Sequence, residues 1–432
     1  SSWPLVDQFL EIGDLCILMC GPQPSSEQKP QPVSSRMWSV LTPEGLNNIA
    51  GHKYKPGKYS PMETLLNPCW SHLTEYLPRR LAPNLVTLAG LLPLLLTNAL
   101  IWWFSPDFAT PAPSWVCILA AISMLFYQTM DALDGKQARR IDASSPLGQL
   151  FDHGCDCLGC ISIHSMAALA CLPGATHITL GCLSGLQTGF FMAQWQEHYT
   201  GVLYTSFGPF GVIESQFGLI CMTFLAGLAG PENVNSFSKS RLPLSWPGVA
   251  LSKGLIIQIA WLSFCSLMIV ICFVNTLIKA YRGTDMPTEE AGHIPPAGLR
   301  RVCRAVIDLL PIAALNALWF CWPTAAIKSF PRSIIFSSGL LFFFCTAQMI
   351  LFTMARLPFP VWQPLLLPYA GLVLASGLAP IDKAHMELIL MIFAFGLLVY
   401  VLLWLWVVVA ELKERLGIHC FSVESPVLEK KV

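Results

Sequence analysis

Four aspartates interrupt an otherwise apolar part of the chain, MDALDGKQARRIDASSPLGQLFDHGCDCLG at residues 130–159. Asp131 and Asp134 stand three apart, and Asp152 and Asp156 four apart, so on helices each pair shares a face. Between the pairs, Asp142, Ala143, Ser144, Ser145 and Pro146 read as a helix-to-helix turn. The connection is short enough to force the two helices antiparallel, so the four carboxylates can converge. A charge at membrane depth costs about 2.5 to 3.5 kcal/mol, and like charges sharing a site repel. Lys136 and Arg139 offer two compensating cations, but two divalent ions with hard oxygen ligands match four carboxylates better. Ions so held can clamp a pyrophosphate and favour one phosphate as a leaving group. Gly135 and Ala138 leave a side-chain-poor strip where a flat ligand can approach the backbone. The plainer reading, a solvated acidic loop, does not account for acids spaced to one helical face on both sides of the turn.

The elements that position these residues are membrane helices. Of 432 residues, 54% are hydrophobic and 12% charged, against roughly 25% charged in ordinary soluble domains. Lysine plus arginine and aspartate plus glutamate each number 26, which gives no electrostatic case for a nucleic-acid partner. Long apolar runs predict ten spans, at residues 85–104, 115–134, 148–171, 177–196, 212–229, 250–279, 304–322, 333–354, 360–379 and 385–410. The expected fold is all-α, a polytopic membrane protein of about ten helices, preceded by an amphipathic interfacial helix in PMETLLNPCWSHLTEYL. Lys136, Arg139, Arg140, Arg282, Arg300, Arg301, Arg304, Arg356, Lys413, Arg415, Lys430 and Lys431 fall on one side of such a bundle, and fewer basic residues on the other. The positive-inside rule makes the richer side, with both termini, cytosolic.

The expected organisation is a segment without chemistry at 1–36, an interfacial segment at 37–80, a catalytic core at 81–230, further spans at 231–410 and a cytosolic tail at 411–432. The Ser-, Pro- and Gln-rich stretch at 25–35 reads as disordered. Met37 is a candidate start of the functional protein. The 16 cysteines mostly lie inside apolar runs and read as buried thiols rather than a secreted disulfide framework.

Asp131, Asp134, Gly135, Ala138, Arg139, Gly148, Asp152 and Asp156, at these spacings, resemble the full signature of the CDP-alcohol phosphotransferases. The wording DGKQARR, SSPLG and LFDHGCD is similar to the eukaryotic choline and ethanolamine branch, closely over residues 81–216 and more weakly from Tyr54. The resemblance implies transfer of phosphocholine or phosphoethanolamine from CDP-choline or CDP-ethanolamine to diacylglycerol, with release of CMP. It implies that Asp131, Asp134 and Asp152 bind two Mg²⁺ or Mn²⁺ ions, with Asp156 completing the site. It gives Gly135, Ala138, Arg139, Gly148 and Asn84 to the nucleotide, and an endoplasmic reticulum or Golgi membrane to the protein. A homodimer is left open. The plainer reading of Asn84 is a helix cap after Pro83.

An acceptor hydroxyl needs a base, and His153 beside Asp152 is the expected one, with Asp156 next in line. Glu214, at a position that in the family points back to the site, is expected to hold the ring's other N–H. Many relatives carry Glu where Gln149 stands, so an accessory carboxylate is expected to be missing. His153, Cys157 and Cys160 at i, i+4 and i+7 could present zinc ligands, though thiols packed between helices account for them. His164, deep in the third span, reads as a packed, hydrogen-bonded histidine. A different class, a cation transporter using the aspartates as its ion site, is the alternative.

Overall fold

Backbone polar groups find no partner in lipid, so a chain this apolar satisfies them within helices. The computed structural model describes residues 39–208, 210–241, 251–283, 294–378 and 382–423. The expectations for residues 1–36 and for Met37 lie outside them.

Two short helices lead, α1 (Pro43–Ala50) and α2 (Pro61–Glu75). Thr42 Oγ1 caps α1 by accepting from Gly45 N, and Ser60 and Glu63 form a capping box on α2. Then come α3 (Pro83–Phe104), α4 (Ser114–Arg140), α5 (Pro146–Cys171) and α6 (His177–Thr200). A two-stranded ribbon, β1 (Ser206–Phe207) and β2 (Phe210–Gly211), leads into α7 (Val212–Ala229) and α8 (Pro231–Lys239). The remainder is α9 (Lys253–Arg282), α10 (Leu299–Ile307), α11 (Leu310–Cys321), α12 (Thr324–Ser329), α13 (Pro331–Met354), α14 (Leu366–Leu378) and α15 (Lys383–Leu416).

The protein is an all-α polytopic membrane protein. Eight described stretches are long and apolar enough to cross a bilayer: α3, α4, α5, α7, α9, α10 with α11, α13 and α15. Two of the ten expected spans differ. The one at 177–196 is the helix α6, but Gln187, Gln194, Gln196, Glu197 and His198 make it polar, and all five are buried inside the protein rather than facing lipid. The one at 360–379 yields α14, whose 13 residues are short of a crossing.

The packing falls into two parts that share α5. On one side α3, α4 and α7 pack together around Leu91, Leu94, Met124, Tyr127 and Leu169. On the other, α13 is enclosed by α5, α6, α11 and α15, with Phe342, Phe343 and Phe344 in the core. The amphipathic α2 lies across α4 and is held there by that helix's basic end. Lys136 donates to Asn67 and Ser71, Gln137 to the carbonyls of Pro78 and Leu81, and Arg140 to those of Thr74, Glu75 and Leu77.

Candidate active site

The turn between α4 and α5 reverses the chain in five residues: Asp142 adopts φ 55°, and Ser145 caps α5 by accepting from Gly148 N at 3.1 Å. The reversal brings Asp131 of α4 against Asp152 and Asp156 of α5. Each of the three offers a carboxylate oxygen, and these oxygens all lie within 4.8 Å of one another. Asp134 is the buried fourth, close enough to feel the charge of Asp131, but its carboxylate accepts a hydrogen bond from the Thr87 hydroxyl of α3. Asp156 is held from the other side by the Tyr127 hydroxyl at 2.5 Å.

Lys136 and Arg139, the two nearby cations in the sequence, do not compensate the aspartates. Lys136 is engaged with α2, and among the described residues neither side chain pairs with an aspartate. Arg139 is exposed one helical turn beyond Gly135, with its guanidinium 3.5 Å from where a Cβ on Gly135 would stand. The carboxylates therefore fit hard divalent cations on two counts: the donors are all oxygen, and the buried Asp152 Oδ1 has no hydrogen-bond partner. Asp131, Asp152 and Asp156 would hold such ions, with Asp134 adjacent.

Of the residues expected at the nucleotide, Asn84 and Gly148 meet: a Cβ on Gly148 would stand 3.7 Å from Asn84 Oδ1. Asn84 does not cap its helix. Its Nδ2 donates across to the Cys420 carbonyl at 2.8 Å, and Phe421 meets Phe151 edge-on at 5.5 Å. Residues 411–416 continue α15, and Cys420 and Phe421 beyond it thus meet α3 and α5. Gly135 and Ala138 line α4 beside the aspartates, and a side chain added at Gly135 meets nothing closer than 3.5 Å.

His153 is 6% exposed, with Nε2 3.9 Å from Asp152 Oδ2 and its ring edge-on to Tyr54 at 5.8 Å. Glu214 does not reach it. As a first-turn residue of α7, Glu214 accepts from Gly211 N at 2.9 Å through one oxygen and from Met62 N at 3.0 Å through the other. Unpaired backbone N–H groups at two helix starts claim that carboxylate, and it fastens α2 to α7. Cys157 and Cys160 pack in the apolar core. His164 packs edge-on to Phe108 at 6.1 Å, with no hydrogen-bond partner for its Nε2.

Gln149 lacks a carboxylate of its own but touches one. Its Nε2 donates to Glu197 Oε1 of α6 at 3.2 Å, and its Oε1 lies 2.9 Å from His52 Nε2. Tyr127, Thr87 and Glu197 are thus site residues that the sequence reading passed over. Tyr127 had a signal, since it lies four residues before Asp131 on the same helical face.

Comparison with known proteins places this geometry. Residues 80–229, which contain all four aspartates, match the family described as CDP-alcohol phosphatidyltransferase. A Dictyostelium discoideum CDP-alcohol phosphatidyltransferase class-I family protein is 30% identical over 413 residues, 89% of this chain and 98% of that protein. Choline/ethanolaminephosphotransferase 2 of Arabidopsis thaliana is 28% identical over 88% of this chain and 97% of its own. Cholinephosphotransferase 1 of Xenopus laevis is 37% identical over 196 residues, 44% of this chain and 48% of its own. None of these relatives is named as a transporter, and nothing supports that alternative. The signature that spaces the aspartates, the all-helical membrane fold that converges them and a match along nearly the whole of one relative agree: the chain belongs to the CDP-alcohol phosphatidyltransferase family and is an enzyme of it.

Proposed function

We propose that the protein transfers phosphocholine or phosphoethanolamine from its CDP ester to the free hydroxyl of diacylglycerol, releasing CMP. The observation that carries this reading is the cluster of Asp131, Asp152 and Asp156 inside the family signature, at the end of two apolar helices where a soluble nucleotide and a membrane lipid can meet. Divalent ions, when bound there, would offset charge developing on the phosphate oxygens. The ions would be two Mg²⁺ or Mn²⁺. The protein's own groups do the rest. Asn84, Gly135, Ala138, Arg139 and Gly148 form the nucleotide side, Tyr127 and Thr87 fix Asp156 and Asp134, and His153 accepts the proton as the lipid oxygen bonds to phosphorus. The bond to the CMP oxygen breaks on the opposite side. The membrane would be that of the endoplasmic reticulum or Golgi, with both termini and the nucleotide site facing the cytosol.

The test is CMP release by purified protein in diacylglycerol-containing micelles, with CDP-choline and CDP-ethanolamine in competition. Release that depends on diacylglycerol supports the reading, and its absence with both donors sinks it.

Gly135→Val probes the nucleotide side. Nothing near the added Cβ forces a shift, so the fold survives while the branched side chain fills the strip. The apparent KM for the CDP-alcohol is expected to rise more than that for diacylglycerol when each is varied in steady-state kinetics. A change confined to diacylglycerol would place the nucleotide elsewhere.

A further inference from the structure

α5 presents two faces at the aspartates. Gly148 faces Asn84 of α3, whereas Gln149 and His153, one position on, face α6 and the loop between α1 and α2. Asp152 stands between the two faces. With the nucleotide on the α3 face, the amino-alcohol end of the donor lies toward α6. In an in-line displacement the attacking and leaving oxygens are apical, so the head-group oxygen, which stays bonded to the phosphorus, points sideways from their axis.

On that side is Glu197. It is 3% exposed, it accepts one hydrogen bond from Gln149, and among the described residues no lysine or arginine pairs with it. A buried carboxylate without a cation is costly, and one hydrogen bond from an amide does not replace the missing charge. Two further buried polar atoms at this face, His153 Nδ1 and Gln194 Oε1, make no hydrogen bond of good geometry, although the two side chains lie near each other. Tyr54 closes the side toward solvent, 41% exposed, with its ring against His153. The loop that carries it is pinned to the end of α6: Gly57 N donates to Leu203 O at 2.7 Å, and Leu203 N to Lys55 O at 3.1 Å. Burial, then the charges of Glu197, Asp152, Asp131 and Asp156, push the Tyr54 phenol up, so it remains a neutral ring among acids.

We infer that Glu197 and Tyr54 form the subsite for the positively charged head group of the CDP-alcohol, the carboxylate neutralising the ammonium and the ring covering it by a cation–π contact. The inference rests on the transferase reading above. Glu197 on α6 then supplies, beside Gln149, a carboxylate in a region where the sequence reading expected none. A quaternary ammonium gains most from the ring, and a primary ammonium most from hydrogen bonds to Glu197.

The experiment compares three donors: CDP-choline, CDP-ethanolamine and the neutral isostere of CDP-choline with a tert-butyl group in place of the trimethylammonium. The wild type is expected to favour CDP-choline over the isostere in kcat/KM by at least about 10-fold. Glu197→Gln should bring that ratio near one by raising KM for CDP-choline, with inhibition by CMP unchanged. Tyr54→Leu, on an exposed loop, reads the same ratio independently and should affect CDP-choline more than CDP-ethanolamine. Equal use of all three donors by the wild type, or an unchanged ratio in either folded variant, overturns the subsite and leaves the transferase reading standing. A wild type that releases CMP from none of the three overturns both.

Discussion

Asp152→Asn is expected to lower turnover by at least about 100-fold, and Asp131→Asn by as much, since each removes an anionic oxygen from a site built to hold divalent cations. The two carboxylates come from different helices, and with Asp156 they place their oxygens within 4.8 Å of one another. No lysine or arginine among the described residues shares the cluster, so the loss of one aspartate is not buffered by a remaining ion pair. Asp134→Asn belongs to the same set. Its carboxylate accepts from Thr87, and an amide turned to the wrong face would clash with that donor. The check is CMP release at saturating Mg²⁺ or Mn²⁺, paired with a readout that needs no activity, the rise in melting temperature on adding the metal ion alone. The wild type should show the rise and Asp152→Asn should lose most of it. Chelation of the wild type should abolish turnover, and restored metal should return it. Full activity of Asp131→Asn or Asp152→Asn at saturating metal would remove the cluster from the chemistry.

The sequence disclosed the parts of this site that depend on local spacing. Asp131 and Asp134, and Asp152 and Asp156, each occupy one helical turn, and Ser145–Pro146 marks a helix start by side-chain chemistry, so the convergence of α4 and α5 follows from the chain itself. What was not legible depends on contacts between segments far apart. Glu214 was expected at His153, but it lies in the first turn of a helix beside the start of α2, and the nearest unpaired backbone N–H groups took it. Glu197 was hidden for the opposite reason: α6 reads as one more span, and only the fold shows that its polar face turns inward to meet Gln149. The carbonyl of Cys420 reaches Asn84 across 336 residues, and no periodicity carries that information. Span counting differs at two helices for two reasons: α6 carries buried glutamines, Glu197 and His198, and the 13 residues of α14 are short of a crossing.

His153→Ala is expected to lose about 10² to 10⁴ in turnover while keeping its affinity for CMP, because the acceptor hydroxyl must shed a proton as it attacks. Three of the nearby acids are poor acceptors for that proton. Asp131, Asp152 and Asp156 direct their oxygens at one another, where bound cations would draw on their lone pairs, and Asp156 Oδ1 already accepts from Tyr127. His153 stands one residue beyond Asp152, on the face turned to α6, with Nε2 3.9 Å from the Asp152 carboxylate and no hydrogen bond of good geometry at Nδ1. An imidazole there can face Asp152 with one nitrogen and the incoming hydroxyl with the other. Glu214 is engaged elsewhere, and the carboxylate nearest the ring is that of Asp152, at a separation too long for a hydrogen bond. The measurement is kcat at saturating metal and donor for the wild type and for His153→Ala, with CMP inhibition as the control for binding. A base predicts that kcat falls and the inhibition constant does not. A residue that only binds phosphate predicts that turnover and CMP inhibition weaken together. Near-wild-type turnover in the variant would move the proton elsewhere, and Asp156 would be the first group to examine, with Tyr127→Phe freeing the oxygen that the phenol now occupies.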